Sequence, residues 1–453
     1  MSLVTIEVDG EHYKVEDKKL LIDTLIENGI EIPYFCYHKA LGADGNCRMC
    51  MVEIEGSKRP QIACDTFVRD GMVIRTKGDK INQTRREILE LELINHPVDC
   101  PICDQAGECK LQDFYMDYGL YNTHIAKSDK VKHAKHIELG SNVVLDQERC
   151  VLCARCTRFT SNITQTHELG IINRGDHACV STMPGRKLDN PYAMNVVDLC
   201  PVGALTSKDF RFSQRVWFLD STPSICHGCE RGCSIFIDHN KEKYQESKIH
   251  RFRPRYNEKV NGYFICDYGR LSYKALQDNR LVEPIFKGQV ISHEEAKGQL
   301  QAMIEEANDI LVVVDANLYL EDMAIIDKFA QEIKAKVVAP IEYYYDESFG
   351  DDWLKSPYKC ANKEGLKDFS FPNTIEGAKT FDLVINFNHP DISALKATKS
   401  IAFATHNIYQ SNLILPIAAY SEYSGTLINK EGLKQHCTKA IESRVGQIAQ
   451  WFN

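Results

Sequence analysis

Alternating apolar and polar positions dominate the start of the chain. Leu3 to Val8 and His12 to Val15 follow this two-residue period on either side of Asp9-Gly10, so they predict a β-hairpin. Leu20 to Asn28 carries apolar residues at helical spacing and is followed by Gly29, so it predicts a helix capped by that glycine. The first stretch of the chain is therefore expected to be a small β-rich domain.

The pattern changes further along the chain. Asp79 to Asn95 places apolar residues among charged ones and is closed by Pro97, so it predicts a helix. Beyond residue 280, short apolar runs alternate with helical stretches such as Glu321 to Ile333, which predicts a parallel α/β sheet. The predicted buried strands are Asp309 to Asp315, Lys336 to Ala339, Phe381 to Phe387, Ser400 to Thr405 and Asn412 to Pro416.

Length and charge limit the possible classes of function. A chain of 453 residues is longer than one core usually organises, so several domains are expected. A net charge of -9 and a pI near 6.0 offer no basic surface for nucleic acid. No apolar run approaches the ~18 residues of a membrane span and Met1 to Glu11 is polar, so we expect a soluble, intracellular chain. The sequence contains no dinucleotide-binding or P-loop fingerprint after any predicted strand.

The cysteines carry the main chemical signal. Fifteen of the eighteen, together with one histidine, fall into four groups of four at iron-sulfur spacings. In chain order, the first to fourth groups are Cys36, Cys47, Cys50 and Cys64; His96, Cys100, Cys103 and Cys109; Cys150, Cys153, Cys156 and Cys200; and Cys226, Cys229, Cys233 and Cys266. Tandem C-x2-C pairs are poor disulfide partners, so a disulfide framework is disfavoured.

The first group predicts a [2Fe-2S] cluster. Its spacing, C-x10-C-x2-C-x13-C, nests one short gap between long arms as plant-type ferredoxins do, whereas zinc prefers paired C-x2-C knuckles. The loop from Cys36 to Cys50 contains Gly42, Gly45 and Asn46, which permit a tight path that brings amides close to bridging sulfides. Together with the hairpin and helix before it, this loop gives the element order of a β-grasp ferredoxin.

The second group, H-x3-C-x2-C-x5-C, is by itself as suitable for zinc as for an iron-sulfur cluster. His96 lies at the end of a predicted helix, next to the cysteine loop that follows. The position of this group between two iron-sulfur groups favours iron, because electron transfer needs closely spaced redox centres. We therefore expect a [4Fe-4S] cluster with one histidine ligand.

The third group resembles half of a bacterial ferredoxin, because it begins C-x2-C-x2-C. Thr160 stands where the fourth cysteine of that motif would be, so the fourth ligand must come from elsewhere in the chain. Cys200 precedes Pro201 as that motif requires and is the expected ligand of a single [4Fe-4S] cluster. Cys179 is the competing candidate, but it lies in a polar stretch without a following proline.

The fourth group, C-x2-C-x3-C-x32-C, has a less diagnostic spacing. We expect a [4Fe-4S] cluster, with zinc as the alternative. Three cysteines remain, and they are expected to be free thiols in a reducing compartment: Cys179, Cys360 and Cys437.

These patterns predict a multidomain chain of the α+β and α/β classes. It starts with a β-grasp [2Fe-2S] ferredoxin, continues through small [4Fe-4S] domains and ends in a parallel-sheet α/β domain. The predicted parts are 1–78, the [2Fe-2S] ferredoxin-like domain; 79–139, the [4Fe-4S] domain with one histidine and three cysteine ligands; 140–218, the [4Fe-4S] ferredoxin-like domain; 219–278, a further [4Fe-4S] part; and 279–453, the α/β domain.

The order of the four groups resembles the large iron-sulfur subunit of respiratory complex I, the 75-kDa type of NADH:quinone oxidoreductase. The resemblance covers residues 1 to about 275, and H-x3-C-x2-C-x5-C is its most specific element. It extends through Arg253 to Asn257 and Cys266 to Arg270, then resumes at Leu415-Pro416 and at Glu422 to Gly432. These later segments are similar to the molybdopterin-oxidoreductase-like domain of such subunits, and the resemblance implies that 219–278, with its [4Fe-4S] group, is the N-terminal part of that region. Here that domain is expected to be shortened, because the sequence stops at Asn453.

The resemblance implies one [2Fe-2S] cluster, three [4Fe-4S] clusters and no molybdopterin. All sixteen residues of the four groups would be cluster ligands, and the fourth cluster is found in only some members of the family. The implied role is a relay of electrons from flavin toward quinone, without a substrate-converting site on this chain. The implied partners are an NADH-binding flavin subunit, its small [2Fe-2S] partner and the quinone-module subunits. The chain would then lie on the cytoplasmic, inner face of the cell membrane and meet the membrane only through the complex.

Three other classes fit parts of the sequence. Relay subunits of soluble NAD-linked hydrogenases, formate dehydrogenases and electron-bifurcating complexes use a similar array of clusters. A molybdenum enzyme would need a metal ligand in the tail, where Cys360 is the candidate in a polar stretch. A zinc-stapled scaffold would carry no redox activity.

Overall fold

The structure is a computed structural model that describes residues 2–119, 124, 126–243, 246–374, 380–393 and 395–452. The chain divides into two compact units, Met1–Trp217 and Phe218–Asn453. Parts of the predicted domains 79–139, 219–278 and 279–453, and Met1 of the domain 1–78, lie outside the described residues. Within the described part of the chain, none of the helices combines the length and the apolar character that crossing a bilayer requires.

The first unit has five α-helices and ten strands among its described residues. The helices are α1 (Leu21–Glu27), α2 (Asp79–Leu93), α3 (Lys110–Tyr118), α4 (Arg155–Arg158) and α5 (Asn195–Leu199). The strands are β1 (Leu3–Val8), β2 (Glu11–Glu16), β3 (Met51–Ile54), β4 (Gln61–Ile62), β5 (Val73–Arg75), β6 (Ile137–Glu138), β7 (Val143–Leu145), β8 (Leu169–Ile172), β9 (Cys179–Thr182) and β10 (Leu205–Ser207). They form a five-stranded sheet in the order β2-β1-β5-β3-β4, a three-stranded sheet β10-β7-β6 and the pair β8-β9.

The five-stranded sheet and α1 share one hydrophobic core. β1 and β2 pair antiparallel, and β1 runs parallel to β5. Buried Leu21, Ile22 and Leu25 of α1 belong to the same cluster as the inward residues of these strands. Gly29 has a φ of +75°, a conformation that a side chain disfavours, directly beyond the helix end. The predicted hairpin and both predicted helices of this unit are confirmed, although α2 ends at Leu93, two residues early.

The second unit has three α-helices and twelve strands in the part that the structure describes. The helices are α6 (Asp267–Leu271), α7 (His293–Glu305) and α8 (Leu320–Glu332). The strands are β11 (Leu219–Ile225), β12 (Ser234–Asn240), β13 (Ile249–Pro254), β14 (Ile285–Phe286), β15 (Gln289–Val290), β16 (Ile310–Val314), β17 (Lys336–Val338), β18 (Thr380–Phe387), β19 (Lys396–Ala404), β20 (Leu413–Pro416), β21 (Gly425–Ile428) and β22 (Lys434–Cys437).

A seven-stranded sheet in the order β15-β14-β20-β19-β18-β16-β17 forms the centre of this unit. The five strands from β20 to β17 run parallel, and β14 and β15 pair antiparallel at one edge. The buried faces of α7 and α8 pack into the same core as Val312, Leu383 and Phe403. The five predicted strands and the helix predicted at Glu321 to Ile333 are confirmed, and so is a mixed α/β multidomain chain. The molybdopterin-oxidoreductase type of this domain stays a prediction.

The sequence analysis missed α7, the antiparallel sheet β11-β12-β13 and the hairpin β14-β15. The Ser292 hydroxyl accepts a hydrogen bond from the Glu295 amide at 3.2 Å, and the Glu295 carboxylate accepts one from the Ser292 amide at 3.0 Å. This reciprocal capping box is encoded by Ser-x-x-Glu before the apolar positions of α7. That signal would have located the start of the helix.

Candidate iron-sulfur sites

The four cysteines of the first group lie together and are buried, with at most 6% of any residue exposed. The backbone amides of Phe35 and Cys36 donate to the sulfur of Cys47, at 3.4 and 3.5 Å. Cys64 is hydrogen-bonded to both Cys36 and Cys50. Hydrogen bonds with Cys47 and Cys64 hold the pKa of Cys36 far below its usual range. Amides directed at a buried cysteine sulfur suit an iron-sulfur ligand.

The three cysteines of the second group are placed by a turn and a helix. The Cys103 amide donates to the Cys100 carbonyl at 3.1 Å within one turn of 3-10 helix. Cys109 directly precedes α3, and its carbonyl accepts from the Asp113 amide at 3.1 Å. Burial raises the pKa of the Cys109 thiol to about 11, and the nearby charge of Cys103 adds to this effect. Cys103 and Cys109 are therefore close neighbours.

His96 follows the end of α2, as the sequence analysis expected. The amide of Val98 lies 3.0 Å from its Nδ1 and orients the ring. Burial lowers the pKa of His96 to about 4, so the imidazole is neutral near pH 7, which is the protonation state that binds metals.

The third group lines one cavity, together with Leu145, Val202 and Arg155 among others. The loop that holds its first three cysteines turns through Leu152 and Ala154, at φ values of +46° and +57°. Left-handed conformations are uncommon for residues with side chains, so this loop is held by its surroundings. Burial raises the pKa of the Cys153 thiol to about 12, and the charge of Cys200 adds to it.

Cys200, rather than Cys179, reaches this cavity. Cys200 directly follows α5 and precedes Pro201. Cys179 starts β9 instead, where its sulfur lies 3.9 Å from Nδ2 of Asn173.

The fourth group lies between β11 and β12 and at the start of α6. The Cys226 amide donates to the Cys233 carbonyl at 2.8 Å, which closes the loop that carries Cys229. The amides of Gly228 and Gly269 donate to the sulfurs of Cys226 and Cys266, each at 3.3 Å. Burial raises the pKa of the Cys266 thiol to about 12.

Two glycines leave room for the sulfurs. A Cβ on Gly203 would lie 2.2 Å from the sulfur of Cys103. A Cβ on Gly269 would lie 2.7 Å from the sulfur of Cys226 and 3.5 Å from that of Cys266. Side chains at these two positions would displace the cysteines, so both sites accommodate their thiolates only with glycine there.

The donor sets of the first and fourth groups suit iron-sulfur clusters. No three histidine, cysteine or acidic side chains of the described residues are arranged to hold one metal ion. In a cluster each iron takes its own thiolate, so its ligands do not have to meet at one point. Four buried cysteines with backbone amides directed at their sulfurs match that requirement at the first and fourth groups.

Arginines that follow the cysteines of the third group connect it to the first group. Nη2 of Arg158 donates to the carbonyl of Cys36. Nη2 of Arg155 donates to the carbonyl of Tyr37 at 2.5 Å, and its Nη1 donates to the carbonyl of Leu199 at 3.0 Å. The ligand loops of the first and third groups are therefore in direct contact.

The second and third groups are also in contact. The amide of Lys110, next to Cys109, donates to the carbonyl of Pro201, next to Cys200, at 3.0 Å. Gly203 approaches Cys103 as described above. The sequence analysis did not single out Arg149, Arg155 or Arg158, whose only signal is their position directly beside or two residues from cysteines.

Cys360 and Cys437, two of the three remaining cysteines, lie close enough to the fourth group for their charges to interact with Cys229 and Cys226. Cys360 and Cys437 are fully buried, with 0% exposed. The sulfur of Cys437 lies 3.9 Å from Nε2 of His227.

Three family models match the first unit. Residues 2–79 match the "2Fe-2S iron-sulfur cluster binding domain", residues 85–124 the "NADH-ubiquinone oxidoreductase-G iron-sulfur binding region", and residues 140–206 the "NADH-quinone oxidoreductase subunit 3, ferredoxin-like domain". The fold, the four cysteine sets and the matches to these family models together define a multidomain iron-sulfur protein with ferredoxin-like domains.

Curated relatives make this class more specific. The G subunit of the NADH-quinone oxidoreductase of Streptomyces coelicolor is 36% identical over 345 residues, which are 73% of this chain and 39% of that protein. The NADH-ubiquinone oxidoreductase 75 kDa subunit of Reclinomonas americana is 41% identical over 285 residues, 63% of this chain and 40% of that protein. The chain is a homologue of the G, or 75 kDa, iron-sulfur subunit of NADH-quinone oxidoreductases. It spans about 40% of the length of the relatives that it matches.

A solved structure is also similar. It is the crystal structure of NAD+-reducing [NiFe]-hydrogenase in the H2-reduced state, with 27% sequence identity and a TM-score of 0.43. The match covers 47% of this chain and 91% of that chain.

Proposed function

We propose that this chain is the electron-relay subunit of an NADH:quinone oxidoreductase. It carries single electrons from a flavin-bearing partner toward a quinone-reducing partner and converts no substrate itself. The observation that carries the proposal is the contact among the three ligand sets of the first unit, because electron transfer between centres requires short separations. The homology to the 75 kDa iron-sulfur subunits supports the same assignment.

The proposed ligands are the sixteen residues of the four groups. The first group holds a [2Fe-2S] cluster and the other three hold [4Fe-4S] clusters, with the domain limits given by the sequence analysis. When bound, such clusters take up and release one electron with little change in geometry. The residues around them set the potential through charge, amide hydrogen bonds and burial. The second unit is proposed to be of the molybdopterin-oxidoreductase type, without the pterin.

The third group is proposed to be central in the relay. Arg155 and Arg158 connect its loop to the carbonyls of Tyr37 and Cys36 in the first group. The segment that follows Cys200 contacts the second group at Lys110 and Cys103. The first group also reaches α3, where the rings of Phe35 and Phe114 lie 5.3 Å apart between centroids. Electrons leaving the first group therefore meet ligand loops of both other groups at short range.

The proposed partners are an NADH-binding flavin subunit with its small [2Fe-2S] companion, and the subunits of a quinone module. A flavin separates the electron pair of a hydride into single electrons, which is the input a one-electron relay requires. We place the chain on the cytoplasmic face of the membrane, held there through the complex.

Anaerobic purification of the full chain tests the proposal. We expect about 14 irons with matching sulfide, visible absorption, and paramagnetic signals after reduction with dithionite. A colourless preparation that contains zinc and gives no such signals would refute it.

Co-purification from the native host separates the two relay assignments. Quinone-module subunits support this proposal, and a hydrogenase large subunit would assign the chain to a soluble complex instead.

A further inference from the structure

Among the described residues, Arg155 is a buried cation without a carboxylate partner. It lies between Cys153 and Cys156 in the loop of the third group, and only 4% of the residue is exposed. Nη1 and Nη2 donate to the carbonyls of Leu199 and Tyr37, which are neutral acceptors. Its Nε is buried and has no hydrogen-bond partner in the part of the chain that the structure describes. The charged groups that influence it most are the sulfurs of cysteines and the hydroxyl of a tyrosine, none of them a carboxylate.

A second buried arginine of the same unit is compensated. Arg149, also 4% exposed, pairs with Asp99 through two hydrogen bonds and lies 3.4 Å from a carboxylate oxygen of Asp146. An uncompensated buried charge is costly, so an opposite charge placed beside it stabilises the fold. Among the residues that the structure describes, no carboxylate provides this opposite charge for Arg155.

The missing negative charge can be placed in the cavity beside Arg155. Arg155 lines the same cavity as Cys150, Cys153, Cys156 and Cys200. A cluster bound by four thiolates is anionic, and reduction adds a further negative charge. We propose that Arg155 is the counter-charge of the cluster at the third group, and that its Nε donates to a sulfur there. This inference rests on the proposed relay function.

The positive charge of Arg155 should shift the reduction potential of the third group in one direction. A buried cation stabilises the reduced, more negative state of its neighbour, and little water is present to screen the interaction. Arg155 therefore raises the potential of the third group, and its hydrogen bonds hold the loop beside the first group.

Redox titration of the anaerobically purified full chain, followed by EPR, tests this role. The signal of the third group is assigned by its loss in Cys200→Ser. We expect Arg155→Gln to lower the potential of this signal while iron and sulfide contents stay at the wild-type level. Arg155→Lys, which keeps the positive charge, should leave the potential near the wild-type value.

Arg158→Gln is the matched control. Arg158 lies one turn further along the same helix, and its Nε is 3.8 Å from a carboxylate oxygen of Asp44. Its removal should shift the potential of the third group less than the removal of Arg155. An unchanged potential in Arg155→Gln, or a shift no larger than in Arg158→Gln, overturns the inference.

The lysine variant decides the matter if Arg155→Gln binds less iron. A wild-type potential in Arg155→Lys then supports the inference, and a lowered potential overturns it. Dithionite delivers electrons without any partner, so these titrations remain informative if the relay proposal fails. Failure of that proposal would appear separately, as the absence of electron transfer from a flavin partner.

Discussion

Arg149 and Asp99 form a two-point ion pair, with Nε to Oδ1 at 2.9 Å and Nη2 to Oδ2 at 2.8 Å. The pair joins the residue before Cys150 to the residue before Cys100, and so connects the segments of the third and second groups. Burial acts to raise the pKa of Asp99, but Arg149 and Lys135 outweigh it and lower the pKa to about 2. The two ligand segments are therefore held together by charge as well as by packing.

Replacing Asp99 by asparagine should destabilise the first unit. The change leaves the Arg149 guanidinium with Asp146 as its carboxylate neighbour. We expect a loss of about 2 kcal/mol in the free energy of unfolding, measured by urea denaturation of the anaerobic protein. Asp352→Asn, at an exposed position, is the control and should change the stability by less than about 0.5 kcal/mol. Equal stability of both variants would show that the ion pair contributes nothing.

Alanine at Gly203 should remove the cluster of the second group. The new Cβ would lie 2.2 Å from the sulfur of Cys103, so the thiol has to move out of position. Iron analysis should fall from about 14 to about 10 per chain. Gly298→Ala is the matched control, because a Cβ there would meet no described atom within 4 Å apart from its chain neighbours and the backbone of α7 itself. The control should keep all its iron and gain about 0.5 to 1 kcal/mol of stability. Full iron content in Gly203→Ala would contradict the prediction.

Cysteine in place of His96 should lower the reduction potential of the second group. The substitution replaces a neutral imidazole by an anionic thiolate, which disfavours the addition of an electron. The measurement is a redox titration followed by EPR, with the signals of the first and third groups as internal references. A potential that stays constant or rises would mean that His96 is not a ligand.

Asp322 should make the stability of the second unit depend on pH. The hydroxyl of Tyr423 donates to its carboxylate at 2.6 Å, and only 3% of Asp322 is exposed. Burial raises its pKa to about 6, above the ordinary value of an unfolded aspartate. Its contribution to stability is therefore complete below about pH 4 and is lost as the pH rises through about 6.

Comparison with Asp322→Asn isolates this effect. The difference in unfolding free energy between wild type and variant should fall by roughly 3 kcal/mol as the pH rises from about 4 to about 7. Urea titrations at a series of pH values measure it. A difference that does not change with pH would remove Asp322 as the cause.

The sequence predicted the parts of the fold whose cues are local. The hairpin at Leu3 to Val15 depends on alternation around Asp9-Gly10, and the parallel strands are uninterrupted apolar runs such as Ile310–Val314. The missed strands β11 to β13 mix apolar residues with threonine, histidine, arginine and two prolines. No simple period identifies such strands.

The ligand sets were predictable because metal chemistry restricts both residue type and spacing. The interactions that join the sets were not. Arg155 donates to Tyr37 across 118 positions of sequence, and Arg149 pairs with Asp99 across 50. An arginine beside a cysteine has no sequence feature that distinguishes a buried counter-charge from a solvated side chain, since only the folded chain decides which groups are near it.

The backbone between Cys200 and Leu205 serves two metal centres at once. Cys200 is a proposed ligand of one, and Gly203 forms the wall against which Cys103 of the other rests. The centre that is filled first during biogenesis therefore fixes backbone that also forms part of the other site. Filling one centre is expected to speed the insertion of the other, although each can be filled by itself.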